Sequence, residues 1–276
     1  MKILLTGHRG FIGTYLKSSF ELLGAEVLGI DKKDGAEFDI TNLFSLIGWF
    51  EGFKPDIVCH HAASVSVPES IKNPRQHWSN NVNGTANILE AMRITQTKKI
   101  IFASSSSVYG SNAKKNVTEN DAVIADQLSP YAASKAICEK LIETYSKVYG
   151  IKYINFRYFN IFGTGGRGVI SKWKSQNPNS VTRCGNTERD YTHISNVEFA
   201  NIAALEANES AWNDVYNIGC GKTTSLEHLS EEMGLNAREI EALDCDVKCC
   251  SANIHKAKKQ LKYQVITELK EGLKLL

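Results

Sequence analysis

Apolar residues recur along this chain in two rhythms, short unbroken runs and longer segments of helical period. Residues 2–5 form the first run and end just before Gly7. Residues 12–23 then place Ile12, Leu16, Phe20 and Leu23 on one face, a spacing that predicts a helix. Further runs at 26–31, 56–62, 99–104 and 152–156 read as strands, the last leading into Arg157. Between them, 82–95 carries Val82, Ala86, Leu89 and Met92 at helical spacing, and 131–149 reads as another helix. Strands alternating with helices predict an α/β fold whose mostly parallel sheet is covered on both faces. Ligands of such sheets bind beyond the C-terminal strand ends.

The rhythm changes after about residue 163. Gly163-Thr-Gly-Gly-Arg-Gly168 is a loop, and a polar stretch containing Asn177-Pro178-Asn179 follows, then several shorter elements. Residues 1–162 therefore read as a cofactor domain. Residues 163–276 read as a smaller substrate-binding part, some of whose elements can return to the first domain. The chain has 276 residues, 42% hydrophobic and 22% charged, which excludes a disordered or fibrous protein. A formal net charge of +2 gives no field that predicts nucleic-acid or membrane-surface partners. No apolar run approaches the ~20 residues of a membrane span, and Ile3-Leu4-Leu5 is too short for a signal-peptide core. The expected location is the cytoplasm. Seven cysteines, an odd count, then read as free thiols. Cys245, Cys249, Cys250 and His255 lack a Cys-x-x-Cys pair, so no metal is expected and they read as small residues in or near a strand.

Candidate chemistry begins at Gly7-His8-Arg9-Gly10-Phe11-Ile12-Gly13, between the first strand and the first helix. Glycines there allow a tight turn, close approach of main-chain N–H groups to a pyrophosphate, and close packing of helix on sheet. The anion then lies at the positive end of the helix. Asp31 ends the second strand, where a carboxylate accepts from ribose hydroxyls and repels a 2′-phosphate. That favours NAD over NADP, although Lys32 and Lys33 follow. The fold so defined is a Rossmann-type doubly wound parallel sheet. Tyr131 and Lys135 stand at i and i+4 on a predicted helix, one turn apart on one face. An ammonium beside a phenol favours the phenolate and brings it into range as a base. The run Ser104-Ser105-Ser106-Ser107 ends a predicted strand, where a hydroxyl can hold a reacting oxygen beside Tyr131.

Taken in order, these motifs resemble the extended short-chain dehydrogenases/reductases that act on nucleotide-diphosphate sugars. Asp39-Ile40, His60-His61-Ala62-Ala63, Asn80-Asn81-Val82-Asn83-Gly84-Thr85, Ser104 to Gly110, Tyr131-x-x-x-Lys135, Arg157-Tyr158-Phe159-Asn160, Arg189-Asp190-Tyr191 and Tyr216-Asn217-Ile218-Gly219 carry the likeness over nearly the whole chain. The resemblance implies an NAD site lined by Gly7, Gly10, Phe11, Ile12, Gly13, Asp31, Asp39, Ile40, Ala62, Ala63, Ser64, Asn80, Tyr131, Lys135 and Phe159. It implies Ser105, Tyr131 and Lys135 as the catalytic set. Ser106, Ser107, Asn160, Arg189 and Cys250 would meet the substrate, Asn160 and Arg189 at its diphosphate, where the fixed fork of Arg suits an anion. Relatives that dehydrate or decarboxylate the sugar carry carboxylates after the catalytic serine. Ser106 and Ser107 stand there instead, so the resemblance implies a 4-epimerase of the UDP-glucose type, with a UDP-sugar substrate. The alternatives are a net NAD(P)-dependent reductase or dehydratase, and a dinucleotide-binding sensor without turnover. Three departures from the family pattern stand out. The segment between Asn160 and Arg189 is short. Leu243-Asp244-Cys245 replaces a segment that usually holds a diphosphate-binding Arg. Cys250 leaves room for an N-acetyl group at C2. Segments 82–95 and 131–149 would form a homodimer.

Overall fold

Ile3, Leu4 and Leu5 are all fully buried, and they divide between two cores: Ile3 and Leu5 face one, Leu4 the other. A strand buried on both faces must be central in a layered sheet. In the computed structural model, which describes all residues except 123–125, 177–180, 185–186 and 241–246, β1 (Lys2–Thr6) lies between β2 (Glu26–Ile30) and β3 (Ile57–His60). Beyond β3 come β4 (Lys99–Ser105), β5 (Lys152–Tyr158) and β6 (Asp214–Ile218). All five pairings are parallel. The order reverses direction at β1, so the switch point lies between β1 and β3. Register sets Thr6 opposite both Ile30 and His60, and Ser105 opposite Tyr158, along one edge of the sheet.

Helices cover both faces. On one side α2 (Leu43–Phe53) and α3 (Gly84–Thr95) bury Leu46, Phe50, Ile88 and Met92 against Leu4, Val58 and Ile100. On the other, α1 (Phe11–Leu22) buries Leu16 and Phe20 beside Ile101 and Val197. Leu23, expected on that buried face, caps α1 and is 58% exposed, because Gly24 turns the chain away in a left-handed conformation. The helix expected over 82–95 starts at Gly84, preceded by a single π turn over Ser79–Asn83. A Cβ on Gly84 would lie 2.4 Å from the Ile40 side chain, so the glycine lets α3 approach that residue. The strand expected over 56–62 stops at His60, and the one over 152–156 runs on to Tyr158. The long α4 (Pro130–Tyr149) has the end signals the physics requires. Ser129 accepts from the Ala132 N–H, Pro130 opens the first turn, and Gly150 closes in the left-handed region.

The second part of the chain does not stay apart. β6 completes the main sheet, and α5 (Ile194–Leu205) packs on α1, with Val197 and Ala200 in the same core. A separate small core gathers Phe162, Ile170, Trp173, Val181, Tyr191, Leu226 and Leu229. Asn177-Pro178-Asn179 and Leu243-Asp244-Cys245 lie outside the described residues. The thiols of Cys59, Cys138, Cys220, Cys249 and Cys250 are free. Among the described residues, no helix is long and apolar enough to cross a membrane.

Candidate active site

The loop from β1 to α1 tolerates no side chain where it turns. Gly7 has φ of 75°, and a Cβ there would lie 2.7 Å from the Ala62 nitrogen. A Cβ on Gly13 would lie 2.1 Å from the Gly7 carbonyl oxygen. This close-packed turn at a helix N-terminus leaves main-chain N–H groups for a diphosphate, so the residues present fit a dinucleotide. Asp31 is tied to the same loop: one carboxylate oxygen accepts from the Arg9 N–H at 3.2 Å, the other from the Lys33 N–H at 3.0 Å.

Polar side chains missed in the sequence hold the opposite wall. The Thr6 hydroxyl bonds His60 Nδ1 at 2.7 Å and accepts from the N–H groups of His61 and Ala62 at 3.2 and 3.1 Å. Asn81, the neighbour of the expected Asn80, clamps the Ser64 main chain. It accepts from the Ser64 N–H at 2.8 Å, donates to the Ser64 carbonyl at 3.0 Å, and donates to the Ser134 hydroxyl at 2.9 Å. The repeated asparagines in Asn80-Asn81-Val82-Asn83 were the available signal, but the sequence does not say which one faces inward.

The two walls enclose a cleft of about 1260 Å³ over the switch point. Gly7, Gly10, Phe11, Ile12, Gly13, Asp31, Asp39, Ile40, Ala62, Ala63, Ser64 and Asn80 line one part of it. Ser105, Ser106, Ser107, Tyr131, Lys135 and Asn160 line the other. Three expected residues are elsewhere. Phe159 is fully buried in the core against Tyr109, since the chain turns its neighbours Tyr158 and Asn160 to the cleft instead. Arg189 and Cys250 sit opposite one another on the short paired strands Glu188–Arg189 and Cys249–Cys250, outside the cleft lining. Arg189 there donates to the Glu188 carbonyl at 3.0 Å.

Chemistry concentrates where β4 meets α4. The Ser105 Oγ accepts from the Ser107 N–H at 3.1 Å and donates to the Ser107 hydroxyl at 3.1 Å. Lys135 is 3% exposed; its Nζ donates to the Ala103 carbonyl at 2.7 Å and lies 4.8 Å over the Phe102 ring. Burial brings its ammonium down to about 8, opposed by the nearby Cys138 and Glu139. Tyr131 differs from expectation: burial raises its phenol, and the one opposing influence is the Ser105 hydroxyl. The Lys135 ammonium is engaged at Ala103, so burial of Tyr131 by itself favours the neutral phenol. His60 and His61 are pushed down by burial and by Lys135, His61 to about 3, so both are neutral neighbours of that ammonium. His61 Nε2 meets the Tyr158 hydroxyl at 3.2 Å, which also accepts from Asn201 at 2.8 Å.

Behind this set, Glu139 stands one turn beyond Lys135 on α4. Arg157 grips it through two hydrogen bonds of 3.0 and 2.7 Å, and the Ser104 hydroxyl donates to it. Arg157 also donates to the Tyr109 hydroxyl at 3.1 Å, and Tyr109 donates to Asn217 on β6. The network fastens β4, β5, β6 and α4 together beneath Ser105.

A doubly wound sheet with a glycine loop at its switch point and Ser, Tyr and Lys over the adjoining strand ends defines a short-chain dehydrogenase/reductase of the extended kind. The family model described as the NAD dependent epimerase/dehydratase family matches residues 3–219. UDP-glucuronate 4-epimerase of Thermodesulfobacterium geofontis is 31% identical, over 98% of this chain and 93% of that protein. The crystal structure of UDP-glucose 4-epimerase with UDP-glucose from Thermotoga maritima superimposes with a TM-score of 0.89 at 29% identity, covering 100% of this chain and 97% of the other. That of Thermus thermophilus UDP-glucose 4-epimerase complexed with NAD gives 0.87 at 26% identity, again over 100% and 97%. The chain belongs to the NAD dependent epimerase/dehydratase family, and its cofactor is NAD.

Proposed function

We propose that this protein inverts C4 of a UDP-sugar, by transient oxidation to a 4-keto sugar and reduction from the opposite face. One observation carries this reading: Ser105, Tyr131 and Lys135 open onto the same cleft as the phosphate-cradling glycine loop, and hydroxyls, not carboxylates, follow at 106 and 107. The glycine loop and Asp31 would hold NAD, which would supply a hydride acceptor and donor at C4. Tyr131 takes the proton of the C4 hydroxyl and later gives it back. Ser105 donates to the same oxygen and orients it, fixed by its bonds to Ser107. Lys135 supplies the positive charge that favours the phenolate once a ligand draws its ammonium from Ala103. Ser106 and Ser107 cannot do the acid–base work of carboxylates at neutral pH, which disfavours loss of water from the sugar.

Residues 1–162 are assigned to the dinucleotide and 163–276 to the sugar nucleotide, with β6 and α5 lent back to the sheet. Asn160 serves the substrate diphosphate. Arg189 at the diphosphate and Cys250 at the sugar rest on the resemblance alone, since both lie outside the cleft lining. Exposed apolar residues on α3 and α4, Ile94 at 42%, Val148 at 63% and Tyr149 at 43%, support a homodimer through these helices, which sedimentation would read as twice the chain mass. The test of function is to incubate the protein with UDP-glucose, UDP-galactose or UDP-glucuronate and follow the sugars by NMR. Interconversion at C4 without added nucleotide is expected. No epimer from any of the three at stoichiometric protein would overturn the reading.

A further inference from the structure

The Arg189-Asp190-Tyr191 motif contains a charge that the proposed reaction leaves unused. Asp190 is fully buried. Among the described residues no cation pairs with it, and Arg189 beside it donates to the Glu188 carbonyl instead. A buried carboxylate is stable only where hydrogen bonds replace its water. Here three main-chain N–H groups do so. Oδ1 accepts from Cys220 at 2.8 Å, and Oδ2 accepts from Gly221 at 2.9 Å and Ala252 at 3.0 Å. Gly219 leaves the space for it, since a Cβ there would lie 2.6 Å from Oδ2.

These donors belong to two segments distant in sequence, the turn after β6 and the stretch after the strand Cys249–Cys250. The main chain of Asp190 adds two more ties. Its N–H donates to the Cys250 carbonyl at 3.1 Å, and its carbonyl accepts from the Asn160 side-chain amide at 3.3 Å. Asn160 lines the cleft just past β5 with φ of 21°, a conformation that its surroundings must hold. Asp190 thus gathers the ends of β5 and β6 and the Arg189–Cys250 strand pair at one point. The titratable groups that face it are Cys220, Cys250 and Tyr263. Burial pushes all three up, so they are neutral below about pH 8 and the Asp190 charge is the one that changes there.

We propose that Asp190 is a positioning residue for the sugar nucleotide: its carboxylate draws the turn after β6 and the strand pair against Asn160, and substrate affinity depends on that charge while cofactor affinity does not. That role rests on the proposed assignment of Asn160 and residues 163–276 to the sugar nucleotide. Burial pushes the carboxyl up to about 6, against the three N–H groups that pull it down. Above that pH the tie is whole. Below it the carboxyl holds a proton, one oxygen becomes a donor facing an N–H, and the tie is lost.

The NAD-loaded full chain is titrated by calorimetry with UDP-glucose, UDP-galactose and UDP-glucuronate, and the chain freed of nucleotide is titrated with NAD. Asp190→Asn keeps the shape but turns an NH2 group towards at least one of the three N–H donors. It should weaken the UDP-sugars at least about tenfold and NAD less than about threefold. Gly219→Ala, which crowds the same carboxylate oxygen, should do likewise. The UDP-sugar that wild type binds most tightly has a diphosphate diester that keeps its charge throughout. Its affinity should fall about tenfold from pH 7 to pH 5, as the ionised fraction of Asp190 falls, and should stay level in Asp190→Asn. His193, held below its usual range by burial, is present in both proteins, so a pH dependence that persists in the variant belongs to it and overturns the proposal. Unchanged UDP-sugar affinity in Asp190→Asn, or equal weakening of UDP-sugar and NAD, overturns it too. A wild-type chain that binds none of the three sugars sinks the substrate reading itself, whereas wild-type binding left untouched by Asp190→Asn sinks only this proposal. Should neither variant fold, the wild-type pH profiles decide: a UDP-sugar affinity that does not fall towards pH 5, or an NAD affinity that falls equally, overturns it.

Discussion

Replacing Lys135 by Met should make the nucleotide-free protein more stable while removing its activity. The ammonium is 3% exposed and burial brings it from 10.5 to about 8. At 1.36 kcal/mol per pH unit, keeping that charge buried at pH 7 costs about 3 kcal/mol. Met fills similar space without a charge. Losing the 2.7 Å bond to Ala103 offsets about 1 kcal/mol. The expected net gain is about 2 kcal/mol in urea unfolding at pH 7. The sign against pH is fixed by linkage. Below pH 8 both folded and unfolded chains hold the proton and the wild type carries the whole penalty. Between 8 and 10.5 the unfolded chain holds a proton that the folded one has lost, so wild-type stability rises with pH. The advantage of Met should therefore be constant below pH 8 and vanish towards 10.5. A variant less stable than wild type at pH 7, or a gain that does not shrink above pH 8, refutes the reasoning.

Tyr131→Phe should lower sugar interconversion by at least about a hundredfold, the contribution of a positioned proton carrier, with copurified NAD retained in the absorbance spectrum. Gly13→Ala would set a Cβ 2.1 Å from the Gly7 carbonyl and 2.7 Å from the His8 Cα, both main chain. The loop must shift, at a cost of about 1–3 kcal/mol, and calorimetry should show NAD affinity reduced by tenfold or more. Glu139→Ala leaves Arg157, 7% exposed at its side chain, without its carboxylate. Breaking a buried pair costs about 3–5 kcal/mol, read as a lower urea midpoint, and a loss below 1 kcal/mol would show that water reaches the guanidinium.

The parallel sheet and its first five strands were legible because each is a short apolar run between helix-period segments, and the glycine loop because its spacing serves one task; the strand order and the sixth strand, β6, came only with the fold. What escaped was which neighbour faces which way. Tyr158 and Asn160 line the cleft while Phe159 lies in the core, and Asn160 has a positive φ, a break just past the end of β5 that no local pattern announces. Asn80 faces the cleft and Asn81 turns inward to hold Ser64. Arg189 and Cys250 pair across two short strands that are far apart in sequence, and no local pattern gives the direction of that pair. The Glu139–Arg157 bond joins α4 to β5, so its members look like ordinary surface charges until the sheet is assembled. Residue choice thus tells what chemistry is available, and the parallel register decides which of those groups meet. Thr6, His60 and Ser105 come to one edge only because β1, β3 and β4 pair without slip. A one-residue shift would send each to the opposite face, and of the two serines in β4 the Glu139-bound Ser104, not Ser105, would then come to Tyr131.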